Sequence, residues 1–383
     1  MIKTDIKYTY QDLTIIPEKL SLINSRSECN VYYDDQMLPV WTAPMIPIIN
    51  EKNASYFRQY GINTIIPRSK NLHDQVKLMK QGEWVALSLN QFEEVFLTNT
   101  DTWDLNLDET YNVCIDIANA HMNKLYVIIG DAYEAYEHNN LHIMIGNIAN
   151  PDTYKWICDN MSDMIEYVRI GIGTGSGCLT TSNTGIHYPI ASLIDECYNI
   201  KKYYNNAPLI IADGGIRGYA DVIKALALGA DYVMIGGLFA EILESAGQLS
   251  TINNLDVCLT LIDDFTYLYK EKNTDYTNTL NILSDSEDFK RHLIQHLDLV
   301  REFYGMSTKR AQSLIKNDND KLKTSEGKIF NSQIKYTLAQ WTDNMISYLR
   351  SAMSYCNTDS LYYFIGQPIL VVNSPYAIAA VNK

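Results

Sequence analysis

The chain has 383 residues, 46% hydrophobic and 20% charged, enough to bury a large core as one domain or two. With 31 Lys and Arg against 45 Asp and Glu, its net charge of −14 argues against non-specific capture by nucleic acid or an anionic membrane. Seven scattered cysteines without a CxxC pair point to a reducing compartment. No uncharged stretch approaches the roughly 18 residues of a membrane span, so a soluble cytoplasmic protein is expected.

In chain order, short apolar or β-branched runs that stop at Gly, Pro, Asn or Asp predict eight strands. They are Val40–Met45, Ile62–Pro67, Trp84–Leu89, Asn112–Asp116, Leu141–Gly146, Glu166–Ile170, Pro208–Ala212 and Asp231–Gly236. Helix-like segments fall between them, among them Ala54–Tyr60, Asp152–Asn160, Pro189–Tyr204 and Tyr219–Leu228. Apolar strands alternating with amphipathic helices imply a parallel sheet covered on its outside. Eight such units predict a (β/α)8 TIM barrel; a doubly wound open sheet is the alternative. In a barrel the loops at the strand C-termini form the active face.

Three of those loops carry chemistry. After the sixth strand, the GIGTGSGCLT run from Gly171 to Thr180 places four glycines in seven residues and then a single thiol, Cys178. Backbone that turns this tightly comes close to a ligand or an ion, which core packing would not demand. A structural turn with an incidental cysteine is the plainer reading. Asp213-Gly214-Gly215 after strand seven and Gly236-Gly237 after strand eight leave backbone N–H groups free to meet an anion. Barrels commonly hold a phosphate between these two loops.

From Gln248 to Val300 the rhythm lapses, predicting an inserted excursion (residues 248–300) after strand eight, within a single domain of residues 1–383. Phe289, Leu293, Leu297 and Val300 make one apolar stripe at helical spacing, to bury against its own barrel or a neighbour's. A polar turn spans Lys323–Lys328, a helix runs from about Thr337 to Met353, and the apolar tail Pro368–Val381 is expected to pack on the barrel or a neighbouring subunit.

The motifs together resemble the inosine monophosphate dehydrogenase and guanosine monophosphate reductase family. They are YQDL at Tyr10–Leu13, CIDIAN at Cys114–Asn119, the Cys178 loop, TGIHYP at Thr184–Pro189, ADGG at Ala212–Gly215, MIGG at Met234–Gly237, FYGMS at Phe303–Ser307 and RSA at Arg350–Ala352. Only 16 residues separate Pro67 from Trp84, where the dehydrogenases usually insert regulatory modules. The SEGK segment Ser325–Lys328 is similar to the reductase segment bearing an acid, and no Arg-Tyr pair of the dehydrogenase flap occurs between Met306 and Gln333. Both features favour the reductase. The chain departs from the family pattern at Thr174 (usually proline), Gly177, Met45-Ile46-Pro47, Pro67-Arg68 and Lys323.

The resemblance implies NADPH-dependent reductive deamination of GMP to IMP and ammonia. Cys178 would be the nucleophile, with Glu326 and Thr180 as the proton source and relay. Ser176, Asp213, Gly214, Gly215, Gly236, Gly237, Gly305, Met306, Ser307 and Lys323 would hold the purine nucleoside monophosphate. Arg68, Asp116, Asn119 and Thr181 would lie near the nicotinamide; for Asp116 and Asn119 a strand-end Asx turn is the competing reading. Carbonyls of Gly173, Gly175 and Cys178 would present themselves to a monovalent cation such as K+. The family also implies a homotetramer. IMP oxidation with NAD, or a homologue that binds a purine nucleotide without turnover, are the alternatives. His121, His187, His292 and His296 form no ligand set and read as structural or surface residues.

Overall fold

The computed structural model describes residues 4–106, 108–136, 140–251, 257–261, 267–271, 282–284, 286–316, 321–375, 377 and 379. Among them the strands are β1 (Leu13–Ile15), β2 (Val40–Thr42), β3 (Val85–Leu87), β4 (Tyr111–Asp116), β5 (Leu141–Ile148), β6 (Tyr167–Ile170), β7 (Leu209–Asp213) and β8 (Tyr232–Ile235). They continue with β9 (Leu249–Thr251), β10 (Val257–Leu261), β11 (Tyr267–Glu271), β12 (Ile282–Ser284), β13 (Leu299–Tyr304), β14 (Ile329–Gln333) and β15 (Leu370–Val372).

Seven of them form one parallel sheet in the order β2-β8-β7-β6-β5-β4-β3, an open half-barrel. Helices cover its outside, including Ala54–Gln59, Pro151–Asn160, Ile190–Lys201 and Tyr219–Ala227, where the sequence expects helices. Two of them show why the sequence starts a helix there. Asn150 caps the helix from Pro151 by accepting from Asp152 N, and that proline at the first helical position needs no donor. Leu338–Tyr355 starts on a capping box made by Thr337 and Gln340.

The expected second strand, Ile62–Pro67, is not a continuous strand. It makes single parallel bridges, Asn63 to Trp41 and Ile66 to Val85, between the two sheet edges. The reason is local. Asn63 N donates to Val40 O and Ile66 N to Trp84 O, but between them Ile65 N turns to the Thr42 hydroxyl, and Pro67 has no N–H to extend the ladder. Hydrogen exchange should find this seam the least protected part of the sheet. Amides at residues 62–66 are expected to exchange at least about tenfold faster than those of β4 and β5. Equal protection would contradict this.

Strand side chains alternate between the two faces. One face stacks Trp41, Ile65, Ala86, Cys114, Met144, Tyr167, Ile211 and Tyr232 into an inner core, and the other packs under the helices. Two residues beyond Cys114, Tyr167 and Ile211, on the same face and nearer the strand C-termini, stand Asp116, Arg169 and Asp213. The alternation therefore sets a layer of charge on top of the inner core.

The excursion begins and ends on a stem. β9 and β14 pair antiparallel with opposite edges of β13, in the order β14-β13-β9, and β10-β11-β12 form a separate antiparallel sheet. Most of its centre, 252–256, 262–266, 272–281 and 285, lies outside the described residues. Its helix, Glu287–His296, docks on its own chain: Leu293 is buried with Leu243, Leu299 and Ile334, and Phe289 and Leu297 pack around them. Beside them Lys290, 2% exposed, reaches Glu244 at 3.1 Å and the Tyr56 hydroxyl at 2.9 Å. The expected stripe thus closes on this chain. In the tail, β15 pairs antiparallel with β1, and residues 376, 378 and 380–383 lie outside the described residues. No helix among the described residues is long and apolar enough to cross a membrane.

Candidate active site

A cavity of about 280 Å³ opens at the C-terminal ends of the strands. Its wall includes Cys178, Thr180, Glu326, Ser176, Asp213, Gly214, Gly215, Gly236, Gly237, Gly305, Met306, Ser307, Arg68, Asp116, Gly173 and Gly175. Residues more than a hundred positions apart in sequence thus meet at one face. Three expected residues do not line it. The Asn119 carboxamide accepts from His121 N at 3.2 Å in an Asx turn. The Thr181 hydroxyl bonds Gly173 O at 3.3 Å and Ile186 O at 3.2 Å. Lys323 is exposed, and its main chain is clamped by Gln312.

Cys178 lies beneath a crossing segment, residues 326–328. Cys178 and Gly327 form an antiparallel bridge, Leu179 N donates to Glu326 O at 2.6 Å, and Lys328 N donates to Gly177 O at 2.9 Å. Gly305 N in turn donates to Lys328 O at 3.1 Å, so residues 326–328 run between the thiol loop and the segment after β13. That lamination needs bare backbone: a Cβ on Gly305 would stand 2.6 Å from Gly177 O. At Gly173, φ is +73° and a Cβ would collide with the Thr181 hydroxyl. The crossing brings side chains together in series. The Cys178 thiol donates to Thr180 Oγ1 at 3.2 Å, and that hydroxyl donates to Glu326 Oε2 at 2.9 Å.

The cavity floor is the charged layer. Arg169 Nη1 donates to Asp116 Oδ1 at 2.8 Å, while Nε and Nη2 reach Asp213 Oδ2 at 3.1 and 2.8 Å. Arg68 Nε stands 3.0 Å from Asp116 Oδ2. Burial alone would raise the Asp116 pKa, but Arg68 and Arg169 outweigh it and hold the carboxyl below its ordinary 3.8. Burial would likewise lower the Arg169 pKa, yet the facing groups, Asp213 foremost, hold it well above normal. Beneath them, burial pushes the Cys114 thiol up to about 12, keeping it protonated.

Asn147 Nδ2 donates to Asp213 Oδ2 at 2.7 Å and to Gly171 O at 2.8 Å. Three donors on one oxygen leave Asp213 Oδ1 without a hydrogen-bond partner among the described residues, in a side chain that lines the cavity. Thr174 ties the loops together, its hydroxyl donating to Asp213 O at 2.7 Å and its carbonyl accepting from Gly215 N at 3.1 Å. The N–H groups of Gly214, Gly236 and Gly237 donate to no described group, which suits an anion. Arg169, Asn147 and Thr174 were not singled out as site residues by the sequence reading. The histidines fit their structural reading: His121 bonds Thr153 and Ala149 N, and His187 bonds Ile172 O.

Fold and site together define an α/β protein with a thiol-bearing ligand cavity walled by the loops at its strand ends. Residues 98–257 match the family described as the IMP dehydrogenase / GMP reductase domain. The chain is 30% identical over 258 residues to a GMP reductase of Helicobacter pylori, covering 65% of this chain and 75% of that protein. It is 29% identical over 262 residues to a GMP reductase of Vibrio vulnificus and 28% over 270 residues to one of Shigella boydii, each covering 65% of this chain and 73% of the relative. The chain belongs to the IMP dehydrogenase / GMP reductase family, and with it to a family of oxidoreductases of purine metabolism.

Proposed function

We propose that this protein reduces GMP to IMP and ammonia with NADPH, through a covalent bond between Cys178 and the purine. The observation that carries the reading is the hydrogen-bonded series Cys178, Thr180, Glu326 at the cavity wall, beside loops with N–H groups open to a phosphate. We read residues 62–66 as the eighth member of a (β/α)8 barrel, since Ile65 joins the inner core beside residues of all seven strands.

In this reading the direction of the series sets the proton's path. The thiol proton passes through the Thr180 hydroxyl to Glu326, leaving a thiolate and a neutral carboxylic acid. The thiolate attacks C2 of the guanine ring, forming a C–S bond. Glu326 returns the proton through Thr180 to the 2-amino group, which leaves as ammonia and makes the purine a thioimidate on Cys178. NADPH, when bound, supplies the hydride that C2 then requires. Breaking the C–S bond expels the thiolate and releases IMP. Asp213 Oδ1 would accept from ribose hydroxyls; Gly214, Gly236 and Gly237 would donate to phosphate oxygens, with Gly215, Ser176, Gly305, Met306 and Ser307 shaping the rest of the pocket.

A cavity of about 280 Å³ suits a mononucleotide, with the nicotinamide entering at the same mouth. Arg68 and Asp116 fit that role because both line the cavity; Asn119 and Thr181 are engaged elsewhere. Gly173 O and Gly175 O each accept one hydrogen bond, from Thr181 and from Cys178 N, and keep a second lone pair that would face a monovalent cation such as K+. No step above passes through that ion. The purified chain with GMP and NADPH should consume the reduced cofactor and release IMP; oxidation of IMP with NAD, or silence with both pairs, would refute the proposal.

Glu326→Gln removes the proton store while keeping the side chain's shape. It is expected to lower kcat by about 10²- to 10⁴-fold, with little change in the KM for GMP. Steady-state kinetics across pH check this, and an unchanged kcat would remove Glu326 from the proton path.

A further inference from the structure

Over the thiol, residues 326–328 are tied by main-chain hydrogen bonds to Leu179, Gly177 and Gly305. Their approach is tied by a side chain. Gln312, on the helix Lys309–Ile315, is 5% exposed; its Nε2 donates to Ser307 O at 2.8 Å and to Lys323 O at 3.1 Å, and its Oε1 accepts from Lys323 N at 2.7 Å. Both main-chain groups of Lys323 thus end on one amide. A primary amide suits the task because it carries an acceptor and two donors without charge. Turned over, it would set its oxygen against two carbonyls and its NH2 against an N–H, so the neighbours fix which way it points.

The helix that carries Gln312 is itself set from the cavity. Thr308, 1% exposed, caps it by accepting from Ala311 N at 3.2 Å, while the same hydroxyl donates to Gly305 O at 2.8 Å. Gln312 N donates to Thr308 O at 2.8 Å. Gln312 therefore stands on residues 305–308, the same main chain that Lys328 meets through Gly305 N at the far end of the segment. Residues 323–328 are bracketed from one base.

Between the brackets the segment is sparsely held: the N–H groups of Thr324 and Ser325 donate to no described group. Glu326 follows directly, and its carboxylate reaches Thr180 Oγ1 at 2.9 Å. A hydrogen bond of that length weakens steeply with displacement or tilt, and a misplacement of about 1 Å can cost a reaction about 10²-fold.

We propose that Gln312 is a positioning residue, which fixes the start of the segment so that the Glu326 carboxylate stays within reach of Thr180 above Cys178. The inference rests on the reading of Glu326 as the proton carrier. A side chain that only completed local packing would change stability and leave the cover of the thiol as it is. Lys316 Nζ makes a neighbouring tie, to Lys321 O at 2.9 Å, at an exposed contact, and provides the control.

Gln312→Met keeps the length of the side chain and removes the amide, while Gln312→Glu keeps an acceptor for Lys323 N and turns an oxygen towards the two carbonyls. Both are expected to lower kcat for GMP reduction by at least about tenfold, with the KM for GMP changed less than about threefold. The Leu179 amide, which donates to Glu326 O, should exchange with solvent at least about fivefold faster in both. Lys316→Met should match the wild type in all three measures. Folded Gln312 variants with unchanged kcat and unchanged Leu179 exchange would overturn the proposal, as would a raised KM with kcat unchanged, which would assign Gln312 to the nucleotide pocket. Should neither variant fold, exchange in the wild type decides: relative to free-peptide rates, Lys323 N–H should be at least about tenfold slower than Thr324 and Ser325, and equal rates would overturn the clamp. A wild type that leaves NADPH unconsumed with GMP, together with faster Leu179 exchange in the variants, would refute the reaction and support the clamp, so the two failures are told apart.

Discussion

Replacing Cys178 with alanine is expected to abolish GMP reduction, lowering kcat by at least about 10⁴-fold, while GMP still binds. The expectation follows from the division of labour proposed at the cavity. The nucleotide would be held by Asp213 and by the glycine loops, none of which touches the thiol through a hydrogen bond. The proposed C–S bond has one source. Serine at the same position should be almost as inactive, because a hydroxyl is far less ionised near neutral pH than a thiol and less polarizable. Cofactor consumption followed spectroscopically, with GMP binding measured by calorimetry, separates the two effects. Turnover retained in Cys178→Ala would end the covalent mechanism even if the substrate proved to be GMP.

Arg169→Met should cost about 3–5 kcal/mol of stability, because it leaves Asp213 without its cation and Asp116 with Arg68 alone. Against a total stability of roughly 5–15 kcal/mol, that is enough to unfold much of the protein in mild denaturant. Arg169→Lys keeps the charge but cannot span both carboxylates and should fall between. The pH dependence gives the sign. Asp116 has a folded pKa below its ordinary 3.8, so its contribution is present above 3.8 and is lost as pH falls through the lower folded value. In the methionine variant the stranded carboxylates gain from protonation, so its deficit should shrink as pH falls from neutral towards 4. Urea unfolding at both pH values decides this, and a constant deficit would show that the arginine acts through packing alone.

Much of the site was legible because its residues are unusual for their surroundings. A cysteine after alternating glycines, and glycine pairs at two successive strand ends, have few reasons to occur together other than close approach to a ligand. Arg169 was hidden by its strand. Tyr167–Ile170 reads as apolar β-structure, and only the two-residue phase from Tyr167 reveals that an arginine there must point to the inner face of the sheet beside Asp116 and Asp213. Asn147 escaped because β5 runs two residues past the glycine at which the sequence reading stopped it. Asn119 shows the reverse: a strand-end asparagine serves its local turn as readily as a ligand, and here it bonds His121 N. The seam at residues 62–66 was indistinguishable from its neighbours by composition, because the defect lies in which acceptor each N–H chooses. The excursion's stripe gave burial but not its partner, which depends on where the stem of β9 and β13 returns the chain.

The segment that passes over Cys178 bears on the chemical durability of the protein as well as on the proposed path of the proton. Cys29, Cys114, Cys158, Cys197 and Cys356 are buried, whereas Cys178 is partly open to solvent. Peroxide and alkylating agents reach an accessible thiol before a buried one, so the residue proposed as nucleophile is also more open to irreversible damage than those five. Residues 326–328 shield it from one side with main-chain contacts at Gly177 and Leu179. A nucleotide seated against the remaining side would complete the cover, and substrate would then double as an antioxidant, with the idle protein ageing faster than the working one.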